Sequence, residues 1–341
     1  MERELHVTLG PALAEDGILR QAIAAGATAC RINLSHCRSD ELDGLLGRVK
    51  AAAAACGARL AIGADLRGRK LRLGPFPGGA VELAGGDEYR LRPVGSDQEL
   101  MGGPRLGSVN CPALAAVARP GDAIALDDGT LQLRVVRVAA GDVVCQVAKG
   151  GRLPERSGLC IPGRALAMPA LTSKDLADLD ALSRARPDFV YLSYCETAAD
   201  VHELRQQLDR RSLPIAIVAK IESALAIEHL DELVAAADGV CLGRGDLGVE
   251  VPLPQLPALQ RRVVTAARCA GKPALVAGEV LYSMVAGQTR PTRAEVSDVI
   301  IALEQGASGF VLSDETAIGP CPVAAVRWLR SLIDGAGVGS S

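Results

Sequence analysis

IAIVAKIES (215–223) and GVCLGRGDLGVE (239–250) share one design: an apolar run rich in β-branched residues that ends on charge. A parallel α/β barrel carries reactive groups in this way, placing them at the carboxyl-terminal rim of its strands. Seven residues stand at or near such ends: Arg31, Asp65, Arg72, Lys220, Glu222, Asp246 and Glu315. Collected on one rim, they would offer carboxylates to a hard divalent cation and cations to a phosphate or carboxylate.

Working outward, eight runs read as strands: HVTLG (6–10), ATACRINLS (27–35), RLAIGADL (59–66), FVYLSY (189–194), AIVAKI (216–221), GVCLGRG (239–245), PALVAG (273–278) and GFVLSD (309–314). Helical patterns fall between most of them, at 42–56, 175–186, 201–210, 256–270 and 295–305. Thr172 with Asp175, and Thr292 with Glu295, have the spacing of an N-terminal capping box. Pro322 suits the first turn of a last helix. Strand and helix alternating eight times predict an α/β fold, a closed (β/α)8 TIM barrel.

One interval breaks the alternation. Between Pro75 and Gly163 no helix is expected, only short alternating segments separated by Gly, Pro and Asp. It reads as a small inserted β-barrel lid domain after strand 3, sited to exclude water from the rim. The expected organisation is barrel over 1–74, insert over 75–163, barrel again over 164–334, and a disordered tail over 335–341.

A chain of 341 residues exceeds the usual single core. Hydrophobic residues make up 49% but aromatics only 2%, so the core is expected to rest on Ala, Val, Leu and Ile. A net charge of −3 with mixed signs steers the molecule towards neither nucleic acid nor an anionic membrane. Ten scattered cysteines without a CxxC pair read as small buried hydrophobes of a reducing compartment rather than disulfides or zinc ligands. MERELHVTLG (1–10) does not resemble a signal peptide, and no apolar run approaches the ~18 residues of a membrane span. The expectation is a cytoplasmic protein without membrane or nucleic-acid partners.

Lys220 and Glu222, two apart on a strand, face one side. With Asp246 from the neighbouring run they make two carboxylates and an ammonium, a donor set for Mg²⁺ or Mn²⁺ with room for water and substrate oxygens. Gly245 beside Asp246 lets a backbone N–H approach an anion closely. The duller alternative is a buried Lys–Glu pair and an aspartate in a turn.

VTLGPA (7–12), CRINLSH (30–36), ADLRGRKLRLG (64–74), ALDDG (125–129), PALTSKDLADL (169–179), AKIES (219–223), GRGDLGVEVP (243–252), TRPTRAEVSDV (289–299) and LSDETAIGPCPVAAV (312–326) resemble, in order and spacing, the motifs of pyruvate kinases. The resemblance covers about residues 4–333 and implies the same barrel with its β lid. It implies Glu222 and Asp246 as metal ligands, and Lys220 as the group stabilising the phosphoryl in flight and the enolate. Arg31 and Arg72 would contact phosphate; Thr8, Pro11 and His36 would lie near the nucleotide, ADP or ATP. Ser313 and Glu315 fall in the last binding motif. Asn33, Ser35 and Asp65 match ligands of the family's monovalent cation, although Asn33 and Ser35 could equally cap a helix and His36 be a surface histidine. Relatives that need K⁺ carry Glu and Thr where this chain has Lys70 and Leu66, and those that work without K⁺ look like this chain. A tethered ammonium at Lys70 would replace the ion. The family's usual carboxyl-terminal effector domain is not matched, so allosteric control of the usual kind is not expected. TRPTRAE (289–295) matches a motif near subunit contacts, which implies a homodimer through the barrel.

The resemblance breaks at several points. The TATQM-like strand reads VAGEV, placing Gly278 where the family has a proton-delivering Thr. Ser157 and Ile318 stand where lysines contact nucleotide phosphates, and SFVR becomes Ser193-Tyr194-Cys195-Glu196. Room at Gly278 would admit a C3 substituent, so a substituted analogue of phosphoenolpyruvate or pyruvate is one expected substrate. Two alternatives remain: a metal-dependent lyase or decarboxylase that forms an enolate from a keto acid without nucleotide, and a non-catalytic binding protein.

Overall fold

The computed structural model describes residues 3–95, 98, 100–164 and 168–336. Strands β1 (Glu4–Leu9), β2 (Ala29–Asn33) and β3 (Ala61–Leu66) come first. Eight strands of an insertion follow: β4 (Ala80–Leu83), β5 (Glu88–Pro93), β6 (Leu106–Val109), β7 (Ala123–Leu126), β8 (Leu131–Ala139), β9 (Asp142–Lys149), β10 (Gly151–Pro154) and β11 (Leu159–Cys160). The chain then returns through β12 (Phe189–Leu192), β13 (Ala216–Ile221), β14 (Gly239–Gly243), β15 (Ala274–Ala277) and β16 (Gly309–Leu312).

The first three and last five strands close into a parallel barrel of order β1-β16-β15-β14-β13-β12-β3-β2. All eight are the runs expected from the sequence. Because β3 and β12 are barrel neighbours, the insertion leaves and re-enters through one gap. It forms a two-stranded sheet, β10-β4, and a six-stranded sheet, β11-β7-β8-β9-β5-β6, around its own buried core, which includes Tyr89, Leu91, Ile124 and Leu133.

Capping sets the helix starts. Thr172 and Asp175 form a reciprocal box at Ser173–Ala185, and Thr292 and Glu295 form another at Arg293–Gln305. The helix expected at 201 begins at Ala198, because Thr197 and Asp200 make a third box. Short helices not anticipated follow β13, β14 and β16, at Ala224–Glu228, Arg244–Glu250 and Asp314–Ala317. Arg244–Glu250 carries two glycines, which hid its helical character. Asp246 therefore sits in a first helical turn, not in an open loop. The insertion also holds a helical turn, Leu114–Val117, and a 3-10 turn, Pro77–Gly79, in an interval expected to have no helix. The last helix runs from Pro322 to Gly335, and the tail expected over 335–341 falls beyond 336 outside the described residues.

Leu, Val, Ile and Ala fill the layer between strands and helices, as composition suggests. The barrel interior departs from that expectation. Phe189 and Tyr191 pack edge to face at 5.2 Å, and His6 lies 5.5 Å from Phe189. Gly63 makes room for them, since a Cβ there would come within 2.3 Å of the Phe189 ring. All ten cysteines are free, and five are buried. Among the described residues no helix is long and apolar enough to cross a membrane.

Candidate active site

The carboxyl ends of β1, β2, β3, β12 and β13 converge on Asp65. Its Oδ2 accepts from Arg31 Nε at 2.7 Å and stands 3.4 Å from Lys220 Nζ, and its Oδ1 accepts from Ser193 Oγ at 2.9 Å. Arg31 also donates to Thr8 Oγ1 at 3.0 Å. Burial works against the charge on Asp65, but Lys220 and Arg31 outweigh it and hold the carboxyl below its ordinary range.

Lys220 Nζ lies 2.8 Å from Glu222 Oε1 and 3.0 Å from Ser193 Oγ. Burial opposes its charge, yet Asp65 and Glu222 raise its pKa, so the ammonium stays charged. Glu222 is 2% exposed and folds over Gly243, where a Cβ would meet its Cγ at 2.6 Å. Burial, with Asp246 next in weight among the raising causes, lifts the Glu222 pKa despite Lys220.

Asp246 Oδ1 accepts from Lys70 Nζ and from the Tyr194 phenol, each at 2.6 Å. Against the cost of burial, Lys70 and Tyr194 keep Asp246 below the usual carboxylate range. The Tyr194 amide donates to Glu222 Oε2 at 3.0 Å. Lys70 Nζ also stands 3.9 Å from Asp128 Oδ1 of the insertion.

This donor set fits a hard divalent cation. Two carboxylates from adjacent strand ends are held by a shared neighbour, Tyr194. Among the described residues no group of three or more His, Cys, Asp or Glu suited to a metal occurs. A site of one or two carboxylates completed by water and substrate oxygens is how proteins hold Mg²⁺, and Mn²⁺ accepts the same oxygen ligands.

Most of the other expected residues line one of two openings. Ser35, His36 and Arg72 line a cavity of about 330 Å³ with Arg67 and Arg156, a strongly basic lining between barrel and insertion. Burial, then Arg72 and Arg31, lowers the His36 pKa. Gly245, Gly278, Ser313 and Glu315 line a larger cleft of about 960 Å³. Asn33 accepts from the Ser35 amide at 3.1 Å, the capping alternative noted above. Pro11 opens a turn of 3-10 helix and is exposed. Glu315 is buried, and its two oxygens accept from the amides of Leu281 and Ser313 at 3.0 and 2.8 Å, so it holds two loops in place.

The departures acquire physical reasons. Gly278 has a left-handed φ of 90°, and a Cβ on it would meet Gly245 N at 2.8 Å. Glycine thus answers a backbone requirement, and the space expected there is held by the Arg244–Gly245 backbone. Ser157 is buried, and its single hydroxyl proton is shared between Asp127 Oδ1 at 3.1 Å and Pro154 O at 2.9 Å. Glu196 pairs with Arg69, 2.9 Å away. Ile318 is 60% exposed. Sequence reading gave no site role to Tyr194, Ser193 or Arg69; the spacing carries no sign of them, because their partners lie 27 to 131 residues away.

The pyruvate kinase barrel domain family model matches residues 2–326. A pyruvate kinase of Mycobacterium tuberculosis is 39% identical over 326 residues, 96% of this chain and 68% of the relative. One from Methylorubrum extorquens is 38% identical over 333 residues, 97% and 68% of the two chains. One from Corynebacterium glutamicum is 37% identical over 336 residues, 98% and 70%. With a closed eight-stranded barrel, an inserted β domain and this rim in place, the chain belongs to the pyruvate kinase family.

Proposed function

We propose that the protein transfers a phosphoryl group between the enol oxygen of phosphoenolpyruvate, pyruvate or a close analogue and ADP or ATP, with Mg²⁺ or Mn²⁺ held by Glu222 and Asp246. The observation that carries this reading is the convergence of Lys220, Glu222 and, through Tyr194, Asp246 at adjacent strand ends. When bound, the dication neutralises charge on phosphoryl and enolate oxygens. Lys220, kept charged by Asp65 and Glu222, stabilises the phosphoryl group as it moves. Arg31 and Arg72 grip phosphate, and the basic cavity that Arg72 and His36 line receives the nucleotide's phosphates. Thr8 and Pro11 border the nucleotide, and Ser313 and Gly245 border the acid. Lys70 replaces K⁺ as a tethered charge beside Asp246. Gly278 has no hydroxyl to offer, so the proton for the enol carbon comes from water in the cleft. The segment over 75–163 closes over the rim as a lid.

A second reading, a nucleotide-independent enolate-forming lyase, is favoured by one feature. Ser157 spends its hydroxyl on Asp127 and Pro154 where a nucleotide-binding lysine is expected. The test is turnover of phosphoenolpyruvate and a panel of keto acids with Mg²⁺, with and without ADP or ATP. Strict dependence on nucleotide supports phosphotransfer, and turnover without it supports the lyase.

A further inference from the structure

Tyr194 lies just past β12 on a left-handed backbone, φ 52°. From there its amide reaches Glu222 Oε2 at 3.0 Å while its phenol reaches Asp246 Oδ1 at 2.6 Å. One residue thus joins both carboxylates of the pair. Lys70 Nζ lies 5.7 Å from the centre of the Tyr194 ring and donates to the same Oδ1. Both donors engage Oδ1, so the carboxylate cannot turn freely and its Oδ2 is the oxygen left to a ligand. The phenylalanine of the SFVR motif would keep the amide bond and lose the phenol bond.

Ion size gives this restraint a consequence. Mg²⁺ demands near-octahedral geometry with ligands at ~2.0–2.1 Å, whereas Ca²⁺ takes carboxylates in one- or two-oxygen fashion at ~2.3–2.6 Å. A carboxylate pinned through one oxygen serves the smaller ion and denies the larger its second contact. Partners that orient a ligand commonly govern metal affinity by about 10–100-fold.

We propose that Tyr194 is a positioning residue of the metal centre: by holding Asp246 through Oδ1 it limits that ligand to one metal-facing oxygen and favours Mg²⁺ over Ca²⁺. This rests on the reading that Glu222 and Asp246 hold the dication. The experiment is calorimetric titration of the full chain with Mg²⁺ and with Ca²⁺, for wild type, Tyr194→Phe and Lys70→Met. Tyr194→Phe is expected to weaken Mg²⁺ binding about tenfold or more at unchanged stoichiometry, with Ca²⁺ affinity held within about threefold. Lys70→Met, which leaves the phenol in place, retains the Mg²⁺-to-Ca²⁺ preference. An unchanged preference in Tyr194→Phe, or equal loss of both ions, overturns the assignment to Tyr194. Collapse of the preference in Lys70→Met also overturns it and moves the role to the ammonium. Failure of wild type to bind either ion removes the metal reading itself, a result distinct from these.

Discussion

Glu196 and Arg69 form an ion pair across the gap between the β12 and β3 loops, Oε2 to Nη1 at 2.9 Å. Arg69 also bonds Asp200, and both acids are largely buried. The charge reversal relative to SFVR is thus matched within the fold, and the pair sits between the segments that deliver Lys70 and Tyr194 to Asp246. In a double-mutant cycle of Arg69→Met and Glu196→Gln, urea denaturation should give a coupling energy of about 0.5–3 kcal/mol. Strictly additive losses would show that the pair does not hold the loops.

Lys70 bonds Asp246 at 2.6 Å, which leads to a kinetic expectation. Turnover should be the same in K⁺ as in tetramethylammonium. Lys70→Met should lower kcat/KM about 10- to 100-fold, the worth of a charged hydrogen bond of ~1.5–3 kcal/mol. Strong stimulation of wild type by K⁺ would contradict the role given to this ammonium.

Gly63 sits against the Phe189 ring at a distance that leaves no space for a methyl group. Gly63→Ala should cost ~1–3 kcal/mol by overpacking, and Phe189→Leu in the same chain should recover most of it. Thermal melts of the two single variants and the double variant read this directly.

Glu295 accepts from Ser283 and Thr292, and although burial opposes it, these bonds keep its pKa below the ordinary glutamate value. A depressed folded-state pKa contributes stability that is complete above the unfolded value, ~4.3, and is lost as pH falls through the folded one. Glu295→Gln should therefore remove part of the acid limb of the stability profile and leave its slope above neutrality unchanged. An identical acid limb would contradict the assignment.

The barrel was legible because its strands are short apolar runs, several of them ending on charge, and the boxes at Thr172 and Thr292 mark helix starts by a local rule. Thr197 and Asp200 carry the same local spacing and mark the start at Ala198. The helix bearing Asp246 was hidden by glycines, whose low propensity tertiary contacts override. Within the site, Lys220 and Glu222 were legible because strand periodicity puts them on one side. Tyr194 was not: its reach to Asp246 depends on a left-handed backbone and on a partner 52 residues away, neither of which leaves a local pattern. Glu315 carried the motif of a ligand, yet its oxygens are engaged by backbone amides, which only coordinates reveal.

The most direct measurement is ³¹P NMR of phosphoenolpyruvate mixed with ADP and Mg²⁺ in the presence of wild type, Lys220→Met and Glu222→Gln. Wild type should move the phosphorus signal to the γ-phosphate of ATP, and each variant should be slower by ~10²–10³-fold. Release of inorganic phosphate without ATP, or transfer at the wild-type rate by both variants, would contradict the account.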